Sequence, residues 1–151
     1  MIGVISDTHG LLRTQVMEAF LGVDLILHAG DIGDAEVLAK LQTIAPVIAV
    51  RGNNDRAPWA THLPVTQAVE KAPHWFYLLH ELAHLDLDPG AAEMSAVIFG
   101  HSHRPLIEYK QHVLFLNPGS AGPRRFSLPV TVARLTITAT AIHPEIIALS
   151  S

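Results

Sequence analysis

Asp7, His9, Asp31, Asn53, His80, His101 and His103 share one chemistry: each offers an oxygen or an imidazole nitrogen that a divalent cation accepts as a ligand. Ligands of these types in that number suit two ions in one pocket, where water is activated and an anionic substrate is neutralised. In Asp7-Thr8-His9 the first and third side chains of an extended segment point the same way, so a carboxylate and an imidazole can grip one ion. Asp31 follows Gly30, which permits a sharp turn, and its two oxygens suit a bridge between ions. In Gly52-Asn53-Asn54-Asp55, the Asn53 amide oxygen is a neutral ligand and Asp55 is an acceptor that orients a histidine N–H. The sharpest segment is Gly100-His101-Ser102-His103, with two imidazoles two residues apart after an apolar run. Taken singly, each block also has a plain structural explanation. Asp31 and the Asn53–Asp55 stretch fit ordinary Asx turns, His9 a solvated side chain, and His80 a half-buried ring bonded to backbone. Their order along the chain argues for a shared site.

The elements that must position these residues are short. Residues 2–6, 23–28 and 47–50 read as buried strands, with helices over 11–21 and 35–43 between them. Leu11, Leu12, Val16, Phe20 and Leu21 mark the first helix, with Gly22 as its stop. Val37, Leu38 and Leu41 mark the second, with Asp34 as its N-cap and Pro46 beyond its end. This β-α-β-α-β order implies a parallel sheet with right-handed crossovers. Each ligand block then follows a strand, on the rim where α/β proteins build their sites. Residues 56–64 read as loop. Strands are expected over 65–69, 75–79 and 96–99, with a short helix over 90–95 behind Asp88-Pro89. Residues 107–109 and 113–116 read as a hairpin, and 130–137 as a strand beside which 138–147 returns. The expectation is a helix-flanked sheet from the first half and a more antiparallel sheet from the second, packed as one domain over residues 1–151.

Composition narrows the classes. An apolar share of 49% supports a substantial core, and the absence of cysteine excludes disulfides and thiolate zinc sites. A formal charge of −4 gives no footprint for nucleic acid. No apolar run is long enough to span a bilayer and the start lacks a signal-peptide pattern, so a cytoplasmic location is expected. Trp59 and Trp75 are candidates for a homo-oligomer interface. Arg13 and Lys40 fall on helix faces and need no function.

The five blocks in order resemble the calcineurin-like metallophosphoesterase superfamily, whose pattern is Asp-x-His, Gly-Asp, Gly-Asn-x-(Asp or Glu), a lone His, then Gly-His-x-His. The small size and Asn117-Pro118-Gly119-Ser120 are similar to its compact YfcE-type branch, which is related to a retromer subunit. The resemblance implies an α/β, four-layer αββα sandwich of two mixed sheets flanked by helices. It implies one ion on Asp7, His9, Asp31 and His103, and another on Asp31, Asn53, His80 and His101. Manganese is the expected activator, with iron, zinc, nickel or cobalt as alternatives. The implied reaction is hydrolysis of a small phosphate ester, a diester rather than a monoester, by in-line attack of a hydroxide shared by the ions. Asn53 and His9 would act on the developing charge or the leaving group, and Arg104 and Arg124 are candidates for holding the substrate anion.

Two departures from the pattern stand out. Asn54 occupies a position where larger members carry a leaving-group histidine. Glu81-Leu82 follows His80 where compact members continue with Gly-His, which keeps His84 open as the alternative ligand. Residues 80–84 also spell His-Glu-Leu-Ala-His, the zinc-protease signature, which requires His80 and His84 on one helical face. A third reading keeps the fold as a protein-binding scaffold with little activity, as in the retromer relative.

Overall fold

The computed structural model describes residues 1–149. The chain runs β1 (Ile2–Ile5), α1 (Gln15–Ala19), β2 (Leu25–His28), α2 (Ala35–Leu41), β3 (Val47–Ala49), β4 (Thr66–Lys71) and β5 (His74–Leu79). It continues through β6 (Ala96–Ile98), β7 (Leu106–Lys110), β8 (Val113–Asn117), β9 (Thr131–Ile137) and β10 (Ile142–Ala148). The strands form two sheets, in the orders β10-β9-β1-β2-β3 and β4-β5-β6-β8-β7. In the first, β1, β2 and β3 are mutually parallel and β9 and β10 antiparallel. In the second, β5, β6 and β8 are parallel, with β4 and β7 antiparallel at the edges.

The sequence pattern explains the layers. Ile2, Val4, Leu25 and Leu27 alternate inward from the first sheet and meet Phe76, Leu78, Ile98, Leu114 and Leu116 from the second. The other face of the first sheet, including Ile5 and Ile26, is covered by Val16 and Phe20 of α1 and Val37 and Leu41 of α2. The outer face of the second sheet buries Tyr77, Leu79, Val97 and Phe115 under Leu82, Leu85, Leu87 and Met94. Each large apolar side chain fully removed from water contributes about 1.5–3 kcal/mol. The four-layer sandwich of two mixed sheets therefore forms, but its fourth layer is the 82–94 segment, with one 3-10 turn (Leu82–His84) instead of a helix. Among the described residues no helix is long and apolar enough to cross a membrane.

Three expectations change. The later strands do not all share one mainly antiparallel sheet: β5, β6 and β8 are parallel, and β9 pairs with β1 of the first sheet, carrying β10 with it. The first helix begins at Gln15, not residue 11. Residues 9 and 10 are tied to the second loop by His9 N–H to the Asp31 carbonyl (2.9 Å) and Gly10 N–H to the Ile32 carbonyl (2.7 Å). Residues 90–95 make a capped turn, not a helix. Asp88 Oδ1 accepts from the N–H of Gly90 and Ala91, and Glu93 at φ 59° then bends the backbone out of the helical region. Helix α2 keeps its expected cap, Asp34 Oδ1 accepting from the Glu36 N–H at 3.0 Å.

Candidate metal centre

The loops after β1, β2, β3, β5 and β6 converge on one rim, each bringing its block of polar residues. Asp7, His9, Asp31, His101 and His103 all adopt positive φ, between 46° and 73°. Side chains other than glycine rarely accept that region, at a cost of about 1–3 kcal/mol each, and such strain clusters at functional sites. Glycines supply the remaining room. A Cβ on Gly30 would lie 2.8 Å from His80 Nδ1, and one on Gly52 would overlap the Asp31 carboxylate.

Asp7 is buried at the centre. Its Oδ2 accepts from the Ser6 hydroxyl (2.7 Å) and the His101 N–H (3.1 Å). Its Oδ1 receives no donor and faces three imidazole nitrogens: His103 Nε2 at 3.4 Å, His9 Nε2 at 3.7 Å and His80 Nε2 at 3.8 Å. Asp31 accepts from the Asn54 N–H (2.9 Å) and the Asn54 side-chain amide (3.1 Å). Its Oδ2 also lies 3.2 Å from His80 Nε2 and 3.8 Å from His9 Nε2. Both carboxylates thus reach both sides of the centre.

These contacts leave a chemical deficit. His80 donates from Nδ1 to the Ala29 carbonyl (2.8 Å), which turns the lone pair of Nε2 toward the Asp31 oxygen. Two lone pairs that face each other require a proton or a cation between them. Asp7 Oδ1, His9 Nε2, His80 Nε2 and His103 Nδ1 are all buried without a hydrogen-bond partner. Leaving such groups unpaired costs about 1–3 kcal/mol each. Ligand atoms of Asp7, His9 and His103 lie within 4.8 Å of one another, as do those of Asp7, Asp31 and His80. The donor set therefore fits divalent cations held by oxygen and imidazole.

The electrostatics agree. Burial by itself would raise the Asp7 carboxyl, but the imidazoles of His103, His9 and His80 that face it, with the Ser6 hydroxyl, hold it far below the usual carboxylate range. Burial likewise opposes ionisation of Asp31, and the adjacent His80 imidazole with the Asn54 N–H reverses it. His80 is pushed up: burial would lower it, and Asp31 and Asp7 outweigh burial. The carboxylates stay anionic near neutrality, as ligands must.

The remaining expected residues fall into place unevenly. His101 is exposed, with its ring edge-on to His80 at 5.2 Å. Asn53 is exposed and lines a cavity of about 560 Å³ together with His80. Asp55 does not orient a histidine. Its oxygens accept from the backbone N–H of Ile32, Gly33 and Gly52, which clamps the second and third loops together. His84 is not at the centre; its side chain is 65% exposed and pairs with Glu81. Residues 74–79 are strand and 82–84 a single 3-10 turn, so the helix that a zinc protease needs is missing. Arg104 and Arg124 are both exposed, outside that cavity, whose walls carry Arg51 and Arg56. Arg13 lies ahead of α1 and donates to the Gly122 carbonyl. Trp59 packs against the outer core, while Trp75 remains 41% exposed.

Two supporting residues, His28 and Asn117, had no role assigned from the sequence. His28, fully buried at the end of β2, accepts the Gly30 N–H on Nδ1 (3.1 Å). Its Nε2–H therefore donates to the Thr8 hydroxyl (3.0 Å), which passes its own proton to the Ile32 carbonyl (2.8 Å). Burial lowers this ring to about 4, so it is neutral and acts as a structural link. Asn117 donates to the Gly100 carbonyl and the Ser102 hydroxyl (3.1 Å each) and so shapes the loop of His101 and His103. The one available signal was position: both residues close apolar strands.

Residues 1–140 match the calcineurin-like phosphoesterase superfamily domain. The chain belongs to that superfamily. A probable metallophosphoesterase of Methanothermobacter thermautotrophicus is 36% identical, over 97% of this chain and 91% of the relative. Phosphodiesterase YfcE of Escherichia coli is 28% identical, over 86% of this chain and 84% of its own. Among solved structures, Chaetomium thermophilum Vps29 superposes with a TM-score of 0.79 at 18% identity, covering 99% of this chain and 97% of its own. That last likeness is one of fold alone. The calcineurin-like phosphoesterase fold thus supports both a compact esterase and a sorting protein, and side chains must decide between them.

Proposed function

We propose that this chain is a phosphodiesterase that hydrolyses a small phosphate diester with two divalent cations, manganese serving as activator. The observation that carries the reading is the convergence of Asp7 Oδ1, His9 Nε2 and His80 Nε2, all buried and without hydrogen-bond partners. When bound, such cations supply hydroxide from water near neutral pH and neutralise charge on the phosphoryl oxygens. Asp7, His9 and His103, with Asp31, would hold one cation. Asp31, His80, His101 and Asn53 would hold the other. Asp31 would contribute to both sites in this reading, because its Oδ2 lies near both His9 and His80. The Asn53 amide, on the cavity wall beside His80, would donate to a phosphoryl oxygen. Its role and that of His9 are to stabilise charge, and Asp55 supports them by fixing the loop that carries Asn53. The scaffold alternative is disfavoured, since binding a protein requires none of these unpaired ligand atoms.

The test is elemental analysis of purified protein alongside rates on a panel of mono- and diesters. The expected result is two equivalents of metal per chain, faster diester hydrolysis, loss of activity with chelator and recovery with Mn²⁺. Full activity in metal-depleted protein would overturn the proposal.

A further inference from the structure

Cleaving an unactivated ester leaves an alkoxide, and someone must protonate it. Near the centre, His9, His80 and His103 face the carboxylates, and the Asn54 amide is bound to Asp31. The cavity of about 560 Å³ opens beside His80, between the segment after β3 and the segment after β5. Val65 and Leu79 give it apolar wall. Its ionisable lining is Arg51, Asp55, Arg56, His80, Glu81, His84 and Asp86. Asp55 is spent on backbone, and Asp86 accepts from the Tyr77 hydroxyl at 2.7 Å. His84 Nε2 lies 3.5 Å from Glu81 Oε2, while Glu81 Oε1 lies 3.8 Å from His101 Nδ1. Glu81 thus links the rim of the centre to an imidazole in the cavity. The turn is anchored on both sides: the His84 N–H bonds the Glu81 carbonyl, and Leu82 and Leu85 pack into the outer core.

We propose that this cavity receives the leaving group and that His84, held by Glu81, protonates the departing oxygen. The inference rests on the phosphodiesterase reading above. The P–O bond to the leaving oxygen breaks and its electron pair stays on that oxygen, which takes the imidazolium proton of His84. Water supplies the hydroxyl that completes the phosphomonoester, and solvent at the exposed ring restores the proton. His84 is a catalytic residue in this scheme, and Glu81 a positioning residue.

The experiment compares wild type, His84→Gln and Glu81→Gln, each loaded with Mn²⁺ and assayed for metal content. The substrates are methyl p-nitrophenyl phosphate, with a good leaving group, and methyl phenyl phosphate, with a poor one. General acid catalysis contributes about 10²–10⁴-fold, so His84→Gln should lose about 100-fold on the phenyl ester and less than about 3-fold on the nitrophenyl ester. Glu81→Gln should lose about 10-fold in kcat on the phenyl ester with KM held, and Glu81→Asp should recover part of it. Metal content should be equal throughout, and free imidazole should partly rescue His84→Ala. Equal losses on both esters, no loss on either, or a fall in metal content in His84→Gln would overturn the assignment. Wild type that binds two metals yet cleaves neither ester would instead sink the phosphodiesterase reading beneath it.

Discussion

The loops of the two sheets reach the centre in different ways. Those of the first sheet are cross-linked: Thr8 to His28 and Ile32, Asp55 to Ile32, Gly33 and Gly52, and Asn54 to Asp31. They deliver the two carboxylates, and both are buried. The second sheet delivers imidazoles on looser supports. His101 is half exposed, and its side-chain partner is Glu81 at 3.8 Å; His80 and His103 are buried, but their loops carry fewer ties. The lesson concerns charge. Two carboxylates crowded together repel and are costly to bury, so the scaffold that holds them must be rigid. An imidazole that ligates a cation is uncharged, so its loop tolerates a wall that is open to substrate.

If that division is right, variants should separate by sheet and by distance from the carboxylates. The largest effect is expected from Asp31→Ala, which removes an anion that reaches both sides of the centre. Activity should fall by more than about 10³-fold with loss of bound metal, read by steady-state kinetics and elemental analysis. His103→Ala should lose metal too, by removing a single ligand. Full activity in either variant would break the comparison at its centre.

Next come the cross-links. Asp55→Ala leaves three backbone N–H groups without their acceptor and should cost about 2–4 kcal/mol, seen as a lower denaturation midpoint. On the second-sheet rim Ser102 is exposed, and Ser102→Ala, which removes the acceptor of the Asn117 amide and the Arg104 N–H, should cost far less. Equal costs would show that the two rims are built alike.

His28 sharpens the same point through pH. Its folded value of about 4 lies below the ordinary 6.5, so the unfolded chain binds the extra proton first. The stability contributed by the neutral ring is complete above pH 6.5 and disappears as pH falls toward 4. The loss is about 3 kcal/mol in metal-free protein. Asp7 and Asp31, also depressed, add a separate loss that begins only as pH falls below the ordinary carboxylate value of 3.8, whereas His80 is raised and its contribution fades as pH climbs. Chemical denaturation across that range tests the sign, and His28→Gln should flatten the curve. The smallest effect is expected from Arg124→Ala, a residue on an exposed loop outside the cavity, whose kcat/KM should stay within about twofold of wild type, like most surface substitutions.

Much of this arrangement was legible in the chain. Asp7, Asp31, His80 and the His101–His103 pair each follow or closely follow an apolar run, and the alternation of strands and helices through residue 50 sends the ends that carry Asp7 and Asp31 to one rim. Pairing partners distant in sequence were not legible. Nothing in the alternation of 131–137 distinguishes β1 from a second-sheet neighbour, because both offer the same apolar face. Local pattern also misread residues 11–14, where helical spacing yields to the ties that bind loop 9–10 to Asp31 and Ile32. Asp55 has the type and position of a histidine partner, yet three backbone donors compete for it once the loops meet. The cavity whose walls carry Arg51 and Arg56 exists only when segments about thirty residues apart face each other, so no local pattern marks it.

The left-handed backbone at Asp7, His9, Asp31, His101 and His103 has an evolutionary corollary. Glycine or asparagine would sit more comfortably at each, so every generation of replication offers this protein cheap ways to become sturdier and inert. A lineage that stopped needing catalysis should drift toward those residues first. The proposed chemistry is what would require aspartate or histidine at all five places.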